Sequence, residues 1–180
     1  MVYILLGTGF EEIEALAPVD LLRRAGIPVQ TVGITGKTVC GSPKICVEAD
    51  ILPEEMDRAA MEMIVLPGGL GGVASARASS AALDALRYGW DHDKYVAAIC
   101  AGPTVLADLG ITDGKNATCY PSCTGQMGNA ALAENAAVVR DGRLITGTSA
   151  GCAIPFALAL IAALKGTPAA DAVADQIVIR

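Results

Sequence analysis

The sequence predicts an α/β fold, a doubly wound domain in which helices cover both faces of a mostly parallel sheet. Short apolar segments such as Val2–Leu6 alternate with longer amphipathic segments, as in successive βαβ units. The apolar segments lack the polar alternation of half-exposed strands, which is typical of strands buried on both faces. No linker, repeat or low-complexity segment interrupts the 180 residues, so residues 1–180 are predicted to form one domain.

The first half of the chain supplies three predicted core strands. The strand at 2–6 is followed by a helix at 11–25, whose apolar residues recur at helical spacing and which ends at Gly26, with Pro28 beyond it. Further along, the pattern predicts a strand at 29–34, a small turn-rich hairpin within 36–48, a buried strand at 63–66 and an Ala-rich helix at 74–88.

The second half continues the same alternation. A strand at 95–99 runs directly into Cys100-Ala101-Gly102-Pro103 and a helix to 109. The remaining predicted elements are a strand at 117–119, a hairpin at 138–145 around Asp141-Gly142, a last long helix at 149–164 and an edge strand at 177–179. In sheets of this kind ligands bind beyond the carboxyl ends of the strands.

Composition excludes several classes of protein. The formal net charge is −6 and no basic run is longer than Arg23-Arg24, which argues against a nucleic-acid or anionic-membrane partner. The longest apolar run, 152–164, is shorter than the roughly 18–20 residues that cross a bilayer. The first residues lack a basic segment typical of a signal peptide, so a cytoplasmic location is expected. In that compartment the six cysteines are expected to be thiols rather than a disulfide framework.

Cys100 is the strongest candidate for chemistry. It lies at a predicted strand-to-helix turn, where a helix N-terminus stabilises a thiolate and lowers its pKa. A buried structural cysteine is the equal alternative. Gly68-Gly69 follows another strand and offers either an anion-binding backbone or only a tight turn. Glu14 follows the first strand, and an acidic residue in a first helical turn is usually just a partner of the helix dipole.

The other candidate groups favour structural interpretations. His92 precedes the strand that ends at Cys100, and that strand puts Lys94 about 20 Å from the thiol at roughly 3.3 Å per residue. A Cys-His dyad and a His-based metal site are therefore disfavoured, and a solvated loop is expected for His92. Cys119 and Cys123 have a spacing that suits a redox pair, half a zinc site or a resolving thiol, with ordinary packing as the preferred interpretation.

Several motifs together resemble one known family, the DJ-1/ThiJ/PfpI superfamily, and within it the DJ-1 branch. The similarity covers almost the whole chain. It rests on the motifs Glu11-Glu12-Ile13-Glu14-Ala15, Pro18-Val19-Asp20, Arg23-Arg24-Ala25-Gly26, Val65-Leu66-Pro67-Gly68-Gly69, Ala97-Ala98-Ile99-Cys100-Ala101-Gly102-Pro103-Thr104 and Phe156-Ala157-Leu158-Ala159.

The resemblance implies a flavodoxin-like α/β sandwich, usually a homodimer, that uses no cofactor or metal. Cys100 is then the reactive thiol, and Glu14 is the carboxyl that hydrogen-bonds its sulfur. Glu14 is expected to have a raised pKa because a nearby thiolate disfavours a second negative charge. Gly69 and Ala101 are expected to supply backbone amides, and Arg24 is expected near the dimer contact.

Departures from the family pattern refine the expected function. Peptidase-like branches carry a histidine directly after the nucleophile, whereas this chain has Ala101, so peptidase activity is disfavoured. Tyr120 stands where animal members place a histidine near the pocket, and it can donate a hydrogen bond without acting as a base near pH 7. Ser149-Ala150-Gly151 replaces a Gly-Pro-Gly stretch, which changes the expected pocket shape.

Two functions remain open from the sequence. The first is a cofactor-independent enzyme that acts on small 2-oxoaldehydes such as methylglyoxal, in glyoxalase III or deglycase chemistry, through Cys100 and Glu14. The alternative is a redox sensor or holdase chaperone in which an oxidant converts Cys100 to sulfinic acid without turnover.

Overall fold

The computed structural model describes residues 1–133 and 135–179 and confirms the predicted α/β class. A six-stranded sheet forms its centre, with five parallel strands and one antiparallel edge strand. Its strands, in spatial order, are β2 (Val29–Gly33), β1 (Val2–Leu6), β5 (Met63–Leu66), β6 (Tyr95–Ile99), β10 (Leu144–Gly147) and β9 (Val138–Asp141). Two small pairs lie outside this sheet: β3 (Thr38–Cys40) with β4 (Cys46–Glu48), and β7 (Asn116–Ala117) with β8 (Ala131–Leu132).

Helices cover both faces of the central sheet, as the unbroken apolar strands require. One face packs against α1 (Glu12–Arg24), α5 (Ala153–Lys165) and α6 (Thr167–Gln176), and the other face packs against α2 (Leu70–Ala78), α3 (Ser80–Asp91) and α4 (Pro103–Asp108). Alternate residues of one strand belong to the two cores, so that Ile4 lies in the same core as Phe156 and Leu5 in the same core as Leu86.

The helical segment predicted at 74–88 is two helices. The break falls at Ser79, which has an extended backbone and whose Oγ accepts a hydrogen bond from the Ala82 nitrogen at 3.2 Å. Ser79 is therefore an N-cap that starts α3. The apolar periodicity continues across this cap, because α2 and α3 both face the same core.

The C-terminal end also differs from the prediction. The segment at 149–164 begins with a short 3₁₀ turn, Ala150–Cys152, and it is not the last helix, since α6 follows after Gly166. Residues 177–179 form no strand: Ile177 caps α6, and Val178 has a φ of 56°. Val178 and Ile179 are exposed rather than paired with the sheet edge.

The expectation that all six cysteines are thiols is wrong for two of them. Cys40 and Cys46 form a disulfide across the β3–β4 hairpin, where they are cross-strand partners. The turn between these short strands brings the two side chains together, and the spacing of six residues alone does not reveal that register. The other four cysteines are free thiols.

The part of the chain that the structure describes contains no helix long and apolar enough to span a bilayer.

Candidate active site

A cavity of about 470 Å³ opens at the carboxyl ends of the parallel strands, where the fold class predicts a ligand site. Loops that follow β1, β5, β6 and β10 meet there because neighbouring parallel strands end at the same edge. The cavity is lined by Glu11, Glu14, Ser42, Gly69, Leu70, Gly71, Cys100, Ala101, Tyr120, Ser122, Ser149, Ala150 and Gly151.

Cys100 follows β6 directly and turns its backbone sharply. Its φ is 64°, in the left-handed region that costs a non-glycine residue about 1–3 kcal/mol, and its nitrogen donates to the Gly147 oxygen at 2.9 Å. This bond continues the ladder between β6 and β10, and the chain then bends away into α4. The strain is held by the packed sheet, which places the half-buried thiol at the cavity wall.

Glu14 lies in the first turn of α1 and is fully buried. One carboxyl oxygen, Oε2, accepts a hydrogen bond from the Gly68 nitrogen at 2.9 Å. The other, Oε1, has no nitrogen or oxygen donor among the described residues, so the Cys100 thiol is the remaining hydrogen-bonding neighbour of the carboxyl. The structure thus brings together the two residues expected to carry chemistry.

Burial raises the pKa of both groups. Burial raises the pKa of Glu14 to about 7, against the hydrogen bonds from Cys100 and Gly68, which lower it. The raised pKa agrees with the expectation, but its main cause is loss of solvent rather than a neighbouring thiolate. Burial and the negative charge of Glu14 raise the pKa of Cys100 to about 12.

The expectation that a helix N-terminus lowers the pKa of the Cys100 thiol is therefore wrong, because this pKa is raised. Helix α4 begins only at Pro103 and has six residues, whereas burial and the charge of the Glu14 carboxyl both raise the pKa of the thiol. Between about pH 7 and 12 the pair holds one proton. A thiolate forms when that proton lies on Glu14, because the coulombic penalty then disappears.

Backbone amides favour this thiolate form. The amides of Ala101 and Gly69 hydrogen-bond the Cys100 sulfur and lower its pKa, against the larger effects of burial and Glu14. Both residues were expected to supply amides at this site, and the structure places them there. The same two N–H groups are available to an oxyanion that forms on an atom bonded to the sulfur.

Gly68 does not line the cavity but separates its two reactive groups. A Cβ at this position meets Glu14 Oε2 at 2.5 Å and the Cys100 Cβ at 2.7 Å. No side chain fits there without moving one of them. Gly68 thus acts through close approach and through its amide, rather than by contact with a ligand.

Tyr120 lines the cavity as expected and is fixed by its backbone. Its nitrogen donates to the Cys100 oxygen at 2.8 Å, while its side chain is 45% exposed. Sequence reasoning missed the hydroxyls of Ser42 and Ser122. Ser42 comes from the tip of the disulfide-linked hairpin, where its nitrogen donates to the Phe10 oxygen at 2.8 Å. No local sequence pattern indicates that Ser42, which is distant in the chain from Cys100, lines this cavity.

Two other candidates lie away from the cavity. Arg24 is at the opposite end of α1 from Glu14, exposed and paired with Asp20 at 2.9 Å, so this chain's cavity does not contain it. Its place near a contact between two copies stays a prediction. His92 ends α3, where its ring stacks on Tyr88 with centroids 3.9 Å apart. In the described ranges, no group of three His, Cys, Asp or Glu side chains is arranged to hold a metal ion.

Comparisons with known proteins agree with the geometry. The model of the DJ-1/PfpI family matches residues 1–163. Protein dj-1beta of Drosophila melanogaster is 37% identical over 98% of this chain and 95% of its own length. The crystal structure of Drosophila melanogaster DJ-1beta superposes with a TM-score of 0.95, and that comparison covers 99% of this chain and 97% of the other at 36% identity.

Two more distant relatives carry descriptive names. The structure of Toxoplasma gondii DJ-1, described as oxidized, has a TM-score of 0.93 and 32% identity over 98% of this chain and 97% of its own. A protein named as a deglycase from Pyrococcus horikoshii is 29% identical over 81% of this chain and 87% of its own.

Proposed function

The chain belongs to the DJ-1/PfpI family, and on that premise we propose that it is a cysteine-dependent enzyme that converts small 2-oxoaldehydes, such as methylglyoxal, to hydroxy acids. The observation that carries the proposal is the position of the buried Glu14 carboxyl beside the Cys100 thiol, and burial raises the pKa of this carboxyl to about 7, so that it can hold a proton near neutral pH. A nucleophile and a proton donor in contact are the minimum for addition to an aldehyde.

The first step is addition to the aldehyde carbon. The thiolate of Cys100 forms a carbon–sulfur bond, the carbonyl electron pair moves to oxygen, and Glu14 gives that oxygen its proton. The amides of Gly69 and Ala101 stabilise the oxyanion before it is protonated. The product is a hemithioacetal, with Glu14 left as a carboxylate.

The next steps are an isomerisation and a hydrolysis. The Glu14 carboxylate removes the hydrogen on the former aldehyde carbon as a proton and returns it to the neighbouring carbon, while the proton of the hemithioacetal hydroxyl moves to the former ketone oxygen. This oxidises the first carbon to a thioester and reduces the second to an alcohol. Water then cleaves the thioester, which releases the hydroxy acid and restores the thiol. Electrons balance within the substrate, so the sequence of steps requires no external oxidant.

Deglycase chemistry uses the same adduct on an aldehyde that has already combined with an amine or thiol. The cavity of about 470 Å³ is large enough for a small aldehyde with part of such an adduct. The deglycase name of the Pyrococcus relative supports this extension.

A second function, redox sensing with holdase activity, is favoured by the same contact. A protonated Glu14 beside an oxidised Cys100 can donate a hydrogen bond to a sulfinate and stabilise it. The Toxoplasma relative described as oxidized also supports this alternative. In this proposal the oxidised side chain accumulates and no substrate turns over.

The two proposals are separated by one assay. Fully reduced protein is incubated with methylglyoxal in buffer without amines or thiols, and lactate is measured against heat-denatured protein. We expect more than one lactate per chain and an unchanged protein mass afterwards. If no lactate forms while peroxide rapidly converts Cys100 to sulfinic acid, the enzyme proposal fails and the sensor proposal stands.

A further inference from the structure

The segment 118–124 is a thin wall between two cavities. Tyr120 and Ser122 line the candidate active site on one side. Behind them lies a second cavity of about 320 Å³, which the proposed aldehyde chemistry does not use. Its lining consists of Thr118, Cys119, Pro121, Thr124, Leu132 and Asn135. Neighbouring residues of this wall, such as Tyr120 and Pro121, thus line different cavities.

Two thiols are built into this wall. Cys119 is 4% exposed and lines the second cavity, and Cys123 is 5% exposed in the same hydrophobic core. The Tyr120 carbonyl oxygen accepts a hydrogen bond from the Cys119 sulfur at 3.4 Å and another from the backbone nitrogen of Cys123 at 2.8 Å. The Pro121–Gln126 3₁₀ turn therefore folds Cys123 back toward Cys119.

We propose that Cys119 and Cys123 form a reversible disulfide when a small hydroperoxide enters the second cavity. One thiolate attacks the peroxide oxygen, which leaves a sulfenic acid and releases an alcohol or water. The other thiol then attacks the sulfenic sulfur and displaces water. Two thiols lose two electrons and two protons in total, and the peroxide takes them.

The bond acts on the substrate cavity through Tyr120. Oxidation removes the thiol hydrogen that Cys119 donates to the Tyr120 oxygen. The nitrogen of the same residue donates to the Cys100 oxygen, and its side chain lines the active-site cavity. A change at the dithiol thus reaches the nucleophile through one residue, Tyr120.

Cys119 and Cys123 are expected to react slowly with a peroxide near neutral pH. Burial and the charge of Cys123 raise the pKa of Cys119 to about 11, and only a thiolate attacks a peroxide. We therefore expect disulfide formation to become faster as the pH is raised above 7.

The test uses Cys100→Ser/Cys152→Ser protein, in which no other free thiol remains, with the Cys40–Cys46 disulfide left intact. After peroxide treatment we expect the tryptic peptide 116–140, which contains both cysteines, to lose about 2 Da and resist alkylation until dithiothreitol is added.

Two matched variants complete the test. Adding Cys123→Ser should convert the loss into a gain of about 16 Da at Cys119, and adding Cys119→Ser should abolish the disulfide in the same way. The proposal is overturned if both thiols of the parent protein stay alkylatable after peroxide, or if they gain oxygen without joining.

Discussion

Replacing Cys100 by serine is expected to lower lactate formation from methylglyoxal by about a thousandfold or more, to the level of the uncatalysed reaction. A serine hydroxyl beside Glu14 remains protonated at every working pH. Among the described residues, none of the cavity hydroxyls of Ser42, Ser122 and Ser149 hydrogen-bonds a carboxylate or an imidazole that could activate it. The measurement is lactate released per chain under identical substrate and buffer.

Cys152→Ser is the matched control for that variant. Cys152 is a half-buried free thiol three residues beyond Ser149, and it does not line the cavity. We expect it to keep the parent rate. A Cys100→Ser protein that still releases lactate at a tenth of the parent rate or more would show that another group carries the reaction.

Replacing Glu14 by glutamine is expected to lower turnover by about 10² to 10⁴, the usual contribution of a positioned acid and base. The amide matches the carboxyl in size, so the space beside Gly68 stays filled, but the amide cannot pass a proton between the two substrate carbons. Lactate formation and alkylation of Cys100 by iodoacetamide are measured on the same preparation. We expect the thiol to remain alkylatable while lactate is lost.

Glu54→Gln is the control for the Glu14 variant, since Glu54 is an exposed carboxylate outside the cavity. It should leave both lactate formation and alkylation unchanged. The role given to Glu14 fails if the glutamine variant keeps the parent turnover.

The sequence predicts the buried strands of the central sheet correctly because each is an uninterrupted apolar segment, and this pattern depends only on burial. Segments 63–66 and 95–99 are apolar without interruption, and the structure has strands with those bounds. The apolar pattern does not predict where an element ends when a single residue determines that end. The cap at Ser79 splits a helix without changing its apolar periodicity, and the left-handed Val178 ends a segment that is β-branched in composition.

The residues of the candidate site also differ in how well the sequence predicts them. Cys100, Gly68 and Gly69 follow strands directly, so topology alone brings them to one edge of the sheet. Glu14 could not be distinguished from Glu11 and Glu12 by its sequence, and the family resemblance selected it. The proton affinity of the pair depends on burial and on contact between two distant segments, which explains why the expected fall in the thiol pKa was wrong.

The proton shared by Cys100 and Glu14 is the central claim, and the pH dependence of lactate formation tests it most directly. Below about pH 7 both groups hold protons, and above it the pair holds one, which can lie on Glu14 and leave a thiolate. We expect the rate to rise about tenfold per pH unit below this value and to become constant above it. A rate that continues to rise tenfold per unit to pH 9 would mean that Cys100 ionises alone, and would contradict the shared proton.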